Sequence, residues 1–248
     1  MSLDFPPAPL PSPPVDPGPA RIAAIIEVVL CSGWPSQFAL TFLIALAGLS
    51  PHEGGHLSFG YIATLLLLDA VVLIGMIFWF LHRHGEKPRD VFFGARPVLH
   101  EVWIGIPMTG IVFALALVVL NTTQRLIPSL HNVPENPLQQ LIASRGQAIA
   151  FAFIATIAGG LREEIQRAFI IHRFEQHLGG ASVGLILYSI VFGAGHALQG
   201  WDAVVTTTIL GLFWGYVYVR RRSILAPAVS HSGFNAAEIF QYFMLAGK

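Results

Sequence analysis

An all-α, polytopic membrane bundle is the fold class this sequence predicts, and three observations predict it. Of the 248 residues, 54% are hydrophobic and 11% charged, with a mean hydropathy of +0.64; a soluble domain is charged at about a quarter of its positions. The apolar residues gather into runs close to the ~20 residues that a spanning helix needs. Basic residues collect mainly in the short segments between those runs.

Residues 1–20 hold eight of the seventeen prolines and no Lys or Arg, which predicts an extended, polyproline-like tail. The tail lacks the basic and apolar regions of a signal peptide. Residues 21–100 carry the first apolar runs and a basic loop, and residues 101–248 carry the remaining runs and the three polar motifs on which the functional reading rests. The runs are Arg21 to Ser50, with Glu27 inside it and a kink expected at Gly33-Trp34-Pro35; Leu57 to Leu81, with a single Asp69; and Val102 to Leu120. Four more follow: Ala148 to Ile171, Ala181 to Ala197, Asp202 to Val219, and Ile224 to about Leu245. That makes seven spans.

Basic residues orient them, because cytoplasmic loops carry the excess of Lys and Arg. With a cytoplasmic N-terminus the inner segments hold Arg21, Arg83, Lys87, Arg89, Arg96, Arg173, Arg220, Arg221 and Arg222; the outer ones hold Arg125, Arg145 and Lys248. The expected setting is a bacterial plasma membrane. Fourteen basic residues balance fourteen acidic ones, so nothing suggests nucleic acid. Cys31 is the single cysteine, which excludes an internal disulfide and a multi-cysteine metal site.

The fourth run contains an electrostatic anomaly. Arg162, Glu163, Glu164 and Arg167 fall within six positions, although an ionised side chain at the bilayer centre costs ~2.5–3.5 kcal/mol on insertion scales. Adjacent glutamates diverge by ~100° on a helix. Arg167 is four residues after Glu163 and three after Glu164, within reach of both. One carboxylate neutralised by the arginine and the other left free is the natural division, and a carboxylate in apolar surroundings is a useful general base. A surface reading competes with this one, in which Arg162, Arg167 and Arg173 snorkel to headgroups. Phe192-Gly-Ala-Gly-His196 and His231-Ser-Gly-Phe-Asn235 place further polar groups in the fifth and seventh runs. Imidazole and amide groups can polarise a carbonyl or donate to an oxyanion. Each could also be interhelical glue.

These three motifs resemble those of the CPBP family, the CAAX-prenyl-endopeptidase and bacteriocin-processing intramembrane proteases also called Abi proteins. The resemblance covers about residues 100–245. It implies an endopeptidase acting on a peptide or protein at the bilayer. Glu163 would activate water, Glu164 would be tied to Arg167, and His196, His231 and Asn235 would assist and hold the oxyanion. The first motif departs from the family, whose usual form is Glu-Glu-x-x-x-Arg; here only Ile165 and Gln166 separate Glu164 from Arg167. The i, i+4 spacing belongs to Glu163, which would make Glu164 the base, so both assignments stand. The resemblance implies a site without cofactor; with a metal such as zinc, Glu163, His196 and His231 would form the His₂Glu set.

Other chemistries are less well supplied. His52-Glu-Gly-Gly-His56 fits the zincin pattern, but that chemistry needs a helix, and two glycines cost one ~2 kcal/mol relative to alanine. No Gly-x-Ser-x-Gly appears. Two alternatives of another class are a catalytically silent scaffold and a proton-coupled transporter, the latter drawing on Asp69 and Glu238 beside the glutamates and histidines.

Overall fold

The computed structural model describes residues 17–245. Most of the expected proline-rich tail lies outside them, and its last four residues open the first helix, α1 (Pro17–Leu30). A helix pair, α1 and α2 (Trp34–Leu46), is followed by a β-hairpin of β1 (His52–Glu53) and β2 (His56–Leu57). Then come α3 (Phe59–Arg83), the short α4 (Pro88–Phe92) and α5 (Val98–Leu126). After a loop with two 3₁₀ turns, α6 (Arg145–Ala155) runs through a π-helical segment (Thr156–Arg162) into α7 (Glu163–His177). The chain closes with α8 (Ala181–Ala194), α9 (Trp201–Arg221) and α10 (Leu225–Leu245). The molecule is an all-α bundle.

Three helices are long and apolar enough to cross a membrane, α3, α5 and α9; α1 and α2 together make a fourth if the bent pair is one span. The bend is 43° and falls at the predicted Gly33-Trp34-Pro35. Gly33 has φ +88°, where a Cβ is strained, and Pro35 sits in the first turn of α2, where its missing N–H costs nothing. The expected spans through α6–α7, α8 and α10 are too short, or too polar, to qualify on composition alone. Seven spans and a cytoplasmic N-terminus therefore rest on the reading of the sequence. The zincin-like stretch is a hairpin: His52 pairs with Leu57 and Glu53 with His56, around Gly54 (φ +59°) and Gly55 (φ +85°). Positive φ at both turn residues is the geometry Gly-Gly favours. The helix that zincin chemistry requires is absent there.

Burial overturns the snorkelling alternative. Arg162, Arg167 and Arg173 are 6%, 0% and 1% exposed. Arg173 donates Nε to Glu27 (2.6 Å) and Nη1 to Glu86 (2.8 Å), and Glu27 also meets His84 (2.6 Å). Glu27 is thus paired at the end of the bundle where α3 finishes. Burial opposes ionisation of Glu86, but hydrogen bonds from Gln176 and Arg173 outweigh it and hold its carboxyl below the usual range. Arg221 forks onto the buried Glu101 at 2.7 and 2.8 Å, and Arg222 pairs with Glu175 at 2.5 and 2.6 Å. Several of the arginines that orient the chain also bind its helices to one another.

The π-helical segment has a physical cause. Widening the helix frees carbonyls from the i→i−4 ladder, and such segments need other donors. Two residues of α10 supply them: Asn235 Nδ2 donates to the Ala155 carbonyl (3.4 Å) and Ser232 Oγ to that of Thr156 (3.5 Å). Gly159 and Gly160 let α10 come this close. A Cβ at Gly159 would clash with Asn235 Nδ2, and one at Gly160 would lie 3.0 Å from the Ser232 Cα, which is backbone and cannot rotate aside. Gly160→Ala should therefore destabilise the bundle by about 1–3 kcal/mol, read as a lower melting midpoint in detergent. Gly110→Ala and Gly75→Ala, where a Cβ meets nothing within 4 Å, should leave the midpoint unchanged or slightly raised.

Candidate active site

Glu163 and Glu164 open α7, directly after the π-helical segment, and their environments differ. The Glu164 side chain is 1% exposed and that of Glu163 19%. Glu164 Oε1 accepts from Arg167 Nη1 and from His231 Nδ1, the latter at 2.9 Å. Of the two carboxylates it is Glu164 that the arginine holds. Among the described residues Glu163 keeps longer contacts, 3.7 Å from Arg162 Nη1 and 3.7 Å from His231 Nε2. The i, i+3 pair forms although the i, i+4 pair was equally available on the helix. The third partner decides: His231 reaches in from α10 and meets Glu164, and Arg167 completes the triad.

Arg167 is enclosed by aromatic faces. Its guanidinium carbon lies 4.9 Å from the ring centroid of Phe192, 5.6 Å from that of Tyr188 and 5.7 Å from that of Trp214. Nε and Nη2 have no hydrogen-bond partner among the described residues, so these π faces replace part of the lost hydration. Trp214 also stacks on His231, centroids 3.8 Å apart and planes at 16°, while its Nε1 donates to Ser230 Oγ at 3.3 Å. The imidazole is gripped on its face by Trp214 and at Nδ1 by Glu164. A carboxylate can only accept, so Nδ1 carries the proton and, in the neutral ring, Nε2 is the acceptor facing Glu163.

His196 lies just beyond the end of α8, in the turn before a 3₁₀ segment, rather than within a spanning helix as expected. Its Nδ1 donates to the Phe192 carbonyl at 2.9 Å, which leaves Nε2 as the free nitrogen. The Phe192 ring stands edge-on to both histidines, 4.9 Å from His196 and 6.1 Å from His231. Asn235 lies one turn beyond His231 on α10, against Gly159. The structure thus joins Glu163, Glu164, Arg167 and His231 by direct contacts and links His196 to His231 through Phe192. Asn235 is seated on the π-helical segment that leads into Glu163. Among the described residues no group of three His, Cys, Asp or Glu side chains is arranged to hold a metal ion, so Glu163, His196 and His231 are not gathered as a ligand set.

Residues 145–237 match the family model described as Rce1-like, type II CAAX prenyl endopeptidase Rce1-like. This segment resembles the CPBP-family protease domain. The match is narrower than the expected 100–245 and contains all six predicted site residues. The match points to a protease domain, and together with three helices long and apolar enough to cross a membrane it supports an integral membrane protein. No curated protein and no solved structure matches the chain.

Sequence reasoning passed over Tyr188 and Trp214, and a signal for them existed. Gly211 and Gly215 on α9 form a small-xxx-small pair, the pattern that brings helices close. A Cβ at Gly211 would sit 3.0 Å from Phe192, and one at Gly215 would sit 3.2 Å from Arg167 Cδ. Arg167→Met should lower stability by about 3–5 kcal/mol, because it strands the buried Glu164 charge. Replacing Glu164 by Gln in the same chain should recover much of that loss. Thermal unfolding of the two single variants and the double variant in detergent checks the pair.

Proposed function

We propose that the chain is an intramembrane endopeptidase in which Glu163 activates water for attack on a peptide bond. One observation supports this assignment above all: Glu164 is taken up by Arg167 and His231, while Glu163 is more exposed and only loosely engaged. Glu163 takes a proton from water, and the hydroxide oxygen bonds to the scissile carbonyl carbon. The C–N bond then breaks, and the departing amine nitrogen receives the proton that Glu163 carries. A base and acid in one group is general acid–base catalysis without a covalent enzyme intermediate.

The other residues divide the remaining work. His231 Nε2, 3.7 Å from Glu163, is near enough for both groups to contact the same attacking water. Glu164 and Arg167 keep that ring in register. Asn235, one turn beyond His231 on α10, would exchange its long 3.4 Å bond to the Ala155 carbonyl for donation to an oxyanion. His196, its Nδ1 committed to the chain, offers Nε2 for orienting substrate or water. No cofactor is needed for these steps. The setting we propose is a bacterial plasma membrane with a cytoplasmic N-terminus. The substrate is a prenylated CAAX-type C-terminus or a leader-type peptide.

The transporter alternative draws on Asp69 as a relay acid, but Asp69 is ion-paired to Arg162 and hydrogen-bonded to Ser36, which favours the hydrolase. To test the proposal, the purified chain in phospholipid vesicles is offered a farnesylated CAAX peptide and, separately, an unprenylated leader-type peptide, and cleavage is followed by mass spectrometry. Glu163→Gln should reduce cleavage of the accepted peptide about 10²–10⁴-fold with an unchanged melting midpoint. Glu164→Gln should lower both activity and midpoint. The reverse pattern would move the base to Glu164, and full activity in both variants would reject glutamate catalysis.

A further inference from the structure

Arg162 stands immediately before Glu163 and is used by none of the steps above. It is 6% exposed and joins two acids. Nη2 is ion-paired to Asp69 of α3, and Nη1 lies 3.7 Å from Glu163 Oε1. Asp69 is itself 1% exposed and held from a third element: Ser36 Oγ donates to Oδ1 at 2.5 Å, and Gln37 Nε2 reaches Oδ2 at 3.4 Å. One turn along α7, Gln166 Nε2 donates to the Cys31 carbonyl at 2.7 Å. Gly33 fits between, where a Cβ would lie 3.1 Å from Arg162 Nη2 and 3.3 Å from Gln166 Nε2. Farther on, Arg173 takes Glu27. Arg162, at the end of the π-helical segment, and Gln166 and Arg173 of α7 therefore dock along α1 and its bent junction with α2.

We infer that Asp69, through Arg162, is a positioning residue for the Glu163 carboxylate, and that the bent α1–α2 pair and α3 complete the site from outside the family-matched segment. This rests on the assignment of Glu163 as base. The matched residues begin at 145, so Asp69, Ser36 and Cys31 all lie outside them. The need for such an anchor follows from the local backbone. Glu163 follows a π-helical segment that contains two glycines, a weak support for a group that must be held precisely. Arg162 is the last residue of that segment, and fixing its guanidinium to a buried, twice-bonded acid fixes the start of α7. The ion pair also occupies the Arg162 charge, so that Glu163 is not drawn into a tight bridge and stays available to water. A buried charge retained at some cost to stability is suited to this kind of orienting role.

The test uses the full-length chain in vesicles and whichever of the two peptides the wild type cleaves, with kcat expressed per folded enzyme. Asp69→Asn should lower kcat about tenfold or more, with KM changed by less than about twofold, since a carboxylate misplaced by a fraction of an ångström affects the chemical step. Asp69→Glu, which restores the charge, should recover most of the loss. Ser36→Ala, which loosens Asp69 and keeps the ion pair, should lower kcat about two- to threefold. An unchanged kcat in Asp69→Asn overturns the inference. So does a loss that Asp69→Glu does not recover and that follows the melting midpoint, because that is a structural contact only. If Asp69→Asn does not fold, Ser36→Ala decides, and wild-type kcat there overturns it. Glu163→Gln is run alongside. Wild-type cleavage by that variant would remove the base assignment itself, an outcome separate from any result at Asp69.

Discussion

The ion pair of Glu164 with Arg167, closed by His231, is the interaction on which the rest of the site depends. A carboxylate and a guanidinium with 1% and 0% side-chain exposure are expensive to desolvate, and their attraction offsets this only with good geometry and further partners. The chain supplies those partners from three helices. Tyr188 and Phe192 come from α8, Trp214 from α9 and His231 from α10. Because every one of them touches Arg167, Glu164 or His231, helix placement and site electrostatics are one problem. Trp214 shows this most directly, since the same ring faces Arg167, stacks on His231 and bonds to Ser230.

The proposed function follows from what that pair leaves over. Two adjacent glutamates cannot both be neutralised by one arginine, and the one that is passed over stays nearer to water. The π-helical segment contributes by bringing α10 against Gly159 and Gly160, which sets Asn235 and Ser232 beside the backbone that leads into Glu163. Dense contacts, a widened helix and a partly exposed acid are thus parts of one arrangement.

Much of this was legible in the sequence. The apolar runs that became α3, α5 and α9 are a local property of composition, and the break at Gly33-Trp34-Pro35 is local backbone chemistry. The six proposed site residues were read from residue type, spacing and the family resemblance. Which glutamate the arginine holds could not be. On an isolated helix Glu163 and Glu164 reach Arg167 about equally well, and the choice lies with His231, 67 residues from Glu164. The Asp69–Arg162 pair spans 93 residues, beyond any periodicity. The π-helical segment was hidden for another reason: Gly-Gly reads as a weak helix, and only the donors on α10 show that it is a widened one.

The central claim is that Glu164 is tightly bound and Glu163 only loosely engaged, and chemical accessibility measures it directly. A hydrophobic carbodiimide reacts with carboxyl groups that can take up a proton from their surroundings and are not locked in an ion pair. In the folded chain in vesicles, peptide mapping by mass spectrometry should find Glu163 modified in proportion to the loss of cleavage. Glu164 should stay unmodified until the chain is unfolded. Modification of Glu164 before Glu163, with cleavage retained, would contradict the account.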